Sequence, residues 1–467
     1  MRSLAEFEER RVGLEFENPV IDATGNPASS ASMQEVWGDL ASSGWQVGRD
    51  SDSQEIISAG KDFGHGTVVL TSDCAACNLE MALPPCQTIS EAGALYARVS
   101  AEVLPALAAR GLSLLAYGIQ PGAFADVDEA RIPSTHYQAL ERAGSGNRFT
   151  NAIMLANSAH QVGVGIRVCE AVEVTNELLK ITGLVVALCG NSPIHGWRVL
   201  PWKEWRVLGW DFRFIVDTPG YEKLTQFPSR PFRTLGDYYS YYWDTPSMIL
   251  VPLREGRWIL PDEELTYGEY FSKSRVSARD LSGEARELTP EPHDFDVALR
   301  AMWPLVKPHL IVEPGSVNVR EFFDSLRDDT LEDYLEGRLS NCYVEYRGGA
   351  ASPCGEELAL PSLILGLVNN LAALKEIGYR HAWEQWGELI YKAAARGLEA
   401  RIDGQSVVPL LEALIETAAE GLSTRPYGEG AHLDVLRERL ARRRNPADMA
   451  VEAFRRGREN FLRRVRY

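Results

Sequence analysis

Positive charge is scarce in this chain. Its 467 residues carry 48 lysines and arginines against 65 aspartates and glutamates, a formal net charge of -17. Duplex nucleic acid is held by clustered cations, so no nucleic-acid partner is expected. The one basic stretch runs from "RERLARRRNPADMA" to "AFRRGRENFLRRVRY" and alternates arginine with apolar residues at helical spacing, which reads as solvated helix faces. Long apolar runs are missing too. The most apolar, "LLKITGLVVALCGNSPI", contains Lys180 and is too short to span a bilayer, so it reads as a buried helix and no membrane partner is expected. The opening "MRSLAEFEERR" lacks the apolar core of a signal peptide, and a cytoplasmic location follows as an expectation. Seven cysteines, an odd number, are read as free thiols. There is no G-x-x-x-x-G-K-[ST], so phosphates are not cradled by a P-loop. No solenoid repeat or low-complexity segment occurs.

What the chain does have is alternation. In "RRVGLEFENPV", Val12, Leu14 and Phe16 share one parity, while Gly13, Glu15 and Glu17 share the other. After the strand "HGTVVLTSD", Cys77, Leu79, Met81 and Leu83 point one way and Asn78, Glu80 and Ala82 the other. Asp73 and Glu80 have opposite parity, so a turn between them is required if both face one cavity. "HQVGVGIRV" places Val162, Val164, Ile166 and Val168 on one face, with Gln161, Gly163, Gly165 and Arg167 on the other; His160 takes the core parity and reads as a satisfied histidine. "NCYVEYRGG" puts Tyr343, Glu345 and Arg347 together. Strands lie mainly in 1–350 and helices in 360–467, which predicts an α+β fold. Within the mixed stretch 262–335, "SARDLSGEARELTPEPHDFD" is expected to be a mobile loop. The aromatic "GWRVLPWKEWRVLGWDFRF" is expected to be loop and short strand, its tryptophans packing and Arg206 a candidate carboxylate clamp.

Two metal readings compete at "LTSDCAACNLEMALPP". Cys74 and Cys77 form a C-x-x-C, but a structural zinc site wants a second ligand pair, and Cys86 and His65 do not supply it at a standard spacing. Oxygens are the better ligands. Glu15, Glu17, Asp73, Glu80 and Glu345 sit on polar faces of separate strands, and if those faces share a cavity their repulsion calls for hard divalent cations. Arg347 is then placed to hold a phosphate and Gln161 to face the same cavity. The plainer reading, rim carboxylates of half-exposed strands, stays open for each residue alone.

The order of these segments resembles the glutamate–cysteine ligase superfamily, carboxylate–amine ligases related in catalytic architecture to glutamine synthetase. "VGLEFE" is similar to the family's opening G-x-E-x-E strand, and "TSDCAACNLEMALPP" to its T-[ST]-D-x(6)-E strand. "AYGIQP", "MLANSAHQVGVGI", "GNSPI" and "YVEYRGG" are similar to its G-x-x-P, V-Q-V-N, N-S-P and Y-x-E-x-R segments. The resemblance implies a single catalytic domain, 1–467, built as a curved antiparallel β-sheet funnel with helices outside. It implies Mg²⁺ ligands at Glu15, Glu17, Asp73, Glu80 and Glu345, with Glu80, Glu345 and Arg347 catalytic. It implies nucleotide contacts at Arg347 and Gln161 and substrate contacts at Arg206 and Gln161. The implied reaction spends ATP to join the γ-carboxylate of glutamate to an amino group, that of cysteine first, as in glutathione biosynthesis. Gly163 stands where the family has asparagine, and with an aromatic wall from the Trp202–Trp210 loop it would leave room for a larger amine. Other classes compatible with the residues are a ligase using another amino acid or amine, a phosphagen-kinase-like phosphotransferase, and a non-catalytic sensor of nucleotide or amino acid.

Overall fold

The structure is a computed structural model, and it describes residues 9–50, 53–125, 130–132, 138–139, 155–209, 223, 227–243, 253–254, 257–263, 265–291, 293–294 and 303–467. Its centre is a nine-stranded sheet, whose strands we number in chain order. They are β1 Val12–Ile21, β2 Gln46–Arg49, β3 Ile56–Asp62, β4 Thr67–Ser72, β5 Asn78–Ala82, β6 Ser113–Leu114, β7 His160–Gly165, β8 Val306–Val312 and β9 Leu339–Tyr346. The order across the sheet is β8-β9-β7-β1-β5-β4-β3-β2, with β6 paired to the end of β1. Neighbours are antiparallel throughout. Strands first and helices last give the α+β architecture that the sequence predicts.

Alternation decides which face is dry. Val12, Leu14, Phe16, Leu79, Met81, Val162, Val164 and Val344 are buried in one continuous apolar core, each stabilising the fold by roughly 1.5–3 kcal/mol. Against that face lie Ile89–Ala109, capped by the Thr88 side chain on the Glu91 amide, and the apolar helix Ala171–Cys189. Ala359–Asn369 packs there as well, and itself packs against Val408–Ser423. Among the described residues no single helix is long and apolar enough to cross a membrane. The bent pair Ala359–Asn369 and Leu371–Gly378 has the composition, but Leu363, Ile364, Leu367 and Leu374 lie in the protein's own core.

The turn required between Asp73 and Glu80 exists. Cys74 takes the left-handed conformation at φ 58°, and Asp73, Ala75 and Asn78 exchange backbone hydrogen bonds around it. A non-glycine residue there costs on the order of 1 kcal/mol, held by the strands on either side.

Four expectations need correction. "SARDLSGEARELTPEPHDFD" is an ordered hairpin in its first half: Val276–Asp280 pairs with Ala285–Leu288, and the Asp280 carboxylate accepts the Ser282 and Glu284 amides at 3.0 Å each, fixing the turn. Its end, beyond Asp294, lies outside the described residues. Strand β8 was not anticipated, because its alternating "VKPHLIV" sits in charged surroundings and contains a proline. The tryptophan-rich segment forms a small hairpin, Ile194–His195 with Arg198–Val199, and then a helical turn, Arg206–Gly209, rather than only loop and strand. Trp210 and "DFRF" lie outside the described residues. Finally, β7 stops at Gly165, and Val168 enters the 3₁₀ turn Val168–Glu170 ahead of the long helix.

Candidate active site

Strands β1 and β5 set two glutamates face to face: Glu17 is the direct partner of Glu80. Glu15 lies two residues along on the same face, between Ala82 of β5 and Gln161 of β7. Like charges directly opposite destabilise a sheet. The turn at Cys74 adds Asp73, and carboxylate oxygens of Glu17, Asp73 and Glu80 lie within 4.8 Å of one another. At that spacing and an effective dielectric near 20, each ionised pair costs roughly 3–4 kcal/mol.

The acidities follow from this crowding. Burial, and then the Glu345 charge, pushes the Glu15 carboxyl up to about 7. Burial, and then Asp73, pushes Glu17 up to about 8. Burial together with Glu15, Asp73 and Glu17 holds Glu80 well above the carboxylate range. Glu345 goes the other way. Burial would raise it, but the Arg347 guanidinium and the His309 hydrogen bond outweigh that and hold it below the usual range.

Hydrogen bonds tie the acidic groups to two strands that lie beyond β1. The Glu17 carboxylate accepts the Ala159 amide at 2.7 Å and the Gln161 side-chain amide. The Gln161 oxygen in turn accepts from Arg347, whose Nη1 is also 3.1 Å from Glu345 Oε2. His309 Nε2 is 3.0 Å from the same oxygen, and its ring stacks on Tyr343 with centroids 4.4 Å apart. Lys307, directly opposite Glu345 in register, is buried and weighs on both Glu15 and Glu345. Lys307 and His309 are the residues that sequence reading missed; their signal was the alternation of K-x-H inside β8. Beside this set opens a cavity of about 780 Å³, lined among others by Arg11, Gly13, Glu15, Gln161, Gly163 and Glu345.

The structure thus brings Glu15, Glu17, Asp73, Glu80, Gln161, Glu345 and Arg347 together. Arg206 stands apart: it is buried with its Nε 3.3 Å from Glu204 Oε1, and Nη2 has no hydrogen-bond partner among the described residues. Its charge still reaches Glu17. The aromatic wall expected from the Trp202–Trp210 loop is not found among the described residues. Trp202 and Trp205 pack on the core, and Trp197 carries the Arg458 guanidinium 3.5 Å from its ring centre. His160 is satisfied on one side only. Its Nδ1 accepts the Ser352 amide at 3.1 Å, while Nε2 has no partner among the described residues.

The donor chemistry of the converging groups suits oxygen ligands better than sulfur. Cys77 is buried and its thiol is pushed up to about 12 by that burial, which makes it a poor thiolate ligand. The convergent atoms at Glu17, Asp73 and Glu80 are all carboxylate oxygens, a donor set that fits a hard divalent cation.

Residues 11–232 match glutamate–cysteine ligase family 2 (GCS2). Members of this family are ATP-dependent carboxylate–amine ligases. The GCS2 span carries Glu15, Glu17, Asp73, Glu80, Gln161 and Arg206, whereas Lys307, His309, Glu345 and Arg347 reach the site from beyond it. The chain is also similar in structure to a glutamate–cysteine ligase from Francisella tularensis crystallised in complex with AMP. That match has 11% identity and a TM-score of 0.57, over 97% of this chain and 86% of that one. At this identity the likeness is one of fold: α+β, with a large antiparallel sheet and a helical C-terminal region. A bifunctional glutathione synthetase from Pasteurella multocida aligns with 12% identity and a TM-score of 0.47, over 97% of this chain and 50% of that one. The ligase PafA, solved with the prokaryotic ubiquitin-like protein Pup, aligns with 9% identity and a TM-score of 0.39, over 98% and 70%. No curated protein matches the chain in sequence.

Proposed function

We propose that this protein is an ATP- and Mg²⁺-dependent ligase that joins the γ-carboxylate of glutamate to an amino group, with cysteine the leading acceptor. The observation that carries the reading is the convergence of Glu15, Glu17, Asp73, Glu80 and Glu345 with Arg347 on one sheet face, beside a cavity of about 780 Å³. Phosphoryl transfer is mainly positioning and neutralisation of charge, and this set offers both.

The reaction has two balanced steps. A carboxylate oxygen of glutamate attacks the γ-phosphorus of ATP, the bond to the β-phosphate oxygen breaks, and ADP leaves with an acyl phosphate in place. The amine nitrogen then attacks the acyl carbon, the C–O bond breaks, inorganic phosphate departs, and the amine's surplus proton goes to solvent or a carboxylate. Glu17, Asp73 and Glu80 would hold one Mg²⁺, and Glu15 with Glu345 a second. Bound Mg²⁺ supplies neutralisation of the phosphate oxygens and thereby lowers the barrier to transfer. Arg347, kept cationic by Glu345, Glu17 and Glu15, contacts the transferring phosphoryl group. Gln161, bonded to both Glu17 and Arg347, orients them. Arg206 is the candidate clamp for a substrate carboxylate, through the Nη2 donor it has left over. A cytoplasmic site of action in thiol formation accords with cysteine as acceptor.

The test is a screen of acids and amines with ATP and Mg²⁺, reading ADP and product mass. ADP release that needs both partners and yields an amide supports the ligase. Phosphorylated acceptor without amide indicates a phosphotransferase, and nucleotide binding without turnover a sensor. An amide formed only with another amine corrects the acceptor.

A further inference from the structure

Glu345 is met by two donors and faced by a third basic residue. Its Oε2 is already met by His309 Nε2 at 3.0 Å and by Arg347 Nη1 at 3.1 Å. Lys307 is nevertheless directly across from it on β8. The same-face parity of Lys307, His309, Tyr343 and Glu345 follows from the β8–β9 register. Lys307 is only 5% exposed, and lysine is rarely buried this far without a charge to answer. Across β9 from it comes Gly163, which pairs with Glu345, and then Gly13. That row ends on Gly13, so beyond Glu345 it carries no side chain on β7 or β1. The Lys307 charge reaches Glu15 as well as Glu345.

Two cations, Arg347 and Lys307, stand among the carboxylates of the site, and each acts on both Glu15 and Glu345. A cation so placed can meet an anionic phosphoryl oxygen on the same face. Arg347 and Lys307 also bracket Glu345, one two residues along β9 and one across on β8.

We propose that Lys307 is a second phosphate-binding residue of the site, holding the terminal phosphate of the nucleotide together with Arg347. The assignment rests on the ligase reading above and deepens it: β8, outside the GCS2 span, completes the phosphoryl site. A terminal-phosphate contact has a signature that a structural ion pair lacks, because it discriminates ATP from ADP.

The experiment measures Mg-ATP and Mg-ADP binding by calorimetry to the full chain and to Lys307→Met and Lys307→Arg, with thermal unfolding alongside. A charged hydrogen bond of this kind supports about 10–100-fold in affinity. Lys307→Met should lose that factor for ATP and less than about threefold for ADP, and Lys307→Arg should restore most of the ATP affinity. Equal losses for both nucleotides, with a lowered Tm that arginine also fails to repair, would show a structural pair and overturn the proposal. Unchanged ATP affinity in Lys307→Met would do the same. Should the wild-type chain bind neither nucleotide while remaining folded, the ligase reading itself falls, and the Lys307 assignment with it.

Discussion

Removing divalent cations should make this protein less stable as pH rises, the opposite of a chain stabilised by ionised carboxylates. Glu17 holds its proton to about 8 when folded, against about 4.5 for a free glutamate, and Glu15 to about 7. Between those values the folded state binds protons that the unfolded state does not, so stability is full at low pH and falls as pH rises through the folded values. Each such group loses about 1.4 kcal/mol per pH unit over its window. From pH 6 to 8, Glu17 and Glu15 together lose roughly 4 kcal/mol, and Glu80, raised by the same crowding, adds to it. Glu345 is held below the usual range, is ionised in both states here, and contributes no slope. At about 2.1 cal/mol/K per residue, 467 residues give an unfolding entropy near 1 kcal/mol/K, so the expected fall in Tm is roughly 4 °C or more. Mg²⁺ competes with those protons, so its stabilising shift should be larger at pH 8 than at pH 6. Thermal unfolding in EDTA and in Mg²⁺ at the two pH values measures both effects, and Glu17→Gln should flatten the EDTA slope by about one proton. A Tm in EDTA that stays level or rises from pH 6 to 8, or a Mg²⁺ shift equal at both, would refute the reasoning.

The other expectations concern single side chains. Glu80→Gln and Glu345→Gln should each lower turnover by about 10² or more with little change in circular dichroism, since each removes a charge facing the reacting phosphate; wild-type rates would mark both as ordinary rim carboxylates. The pair Cys74→Ser and Cys77→Ser should stay active, and elemental analysis of wild-type protein should find no stoichiometric zinc; one zinc per chain would reverse the choice of oxygen over sulfur. The cavity face lacks side chains at Gly13, Gly163 and Gly165, and a methylene is worth only about 1–3 kcal/mol in discrimination. Amines larger than cysteine should therefore react with kcat/KM within about 10³ of the best acceptor, and a steeper preference for cysteine over all of them would contradict the open cavity.

Parity carried most of what could be read in advance. Glu15, Glu17, Glu80 and Glu345 could be placed on polar faces because Val12, Leu14, Phe16, Leu79, Met81 and Val344 alternate with them in regular strands. The demand for a turn at Asp73 followed from the same counting, and Cys74 meets it with a positive φ. What failed had weaker local signals. Strand β8 sets a lysine, a proline and a histidine among its apolar residues, and its pairing with β9 makes it a strand, so Lys307 and His309 went unseen. The Val276–Asp280 hairpin is held by the Asp280 carboxylate on backbone amides, an arrangement that resembles loop composition in sequence. The aromatic wall rested on analogy of position alone, and tertiary packing sets Trp202 and Trp205 against the core instead.

The central claim is that a carboxylate is activated by phosphorylation and then captured by an amine. Glutamate labelled with ¹⁸O in its carboxyl groups, incubated with ATP, Mg²⁺ and cysteine, tests it directly, because the acyl-phosphate route moves one carboxylate oxygen into inorganic phosphate. The account predicts ADP, an amide, and phosphate carrying one ¹⁸O per turnover. Unlabelled phosphate, or AMP with pyrophosphate as the nucleotide products, would contradict it.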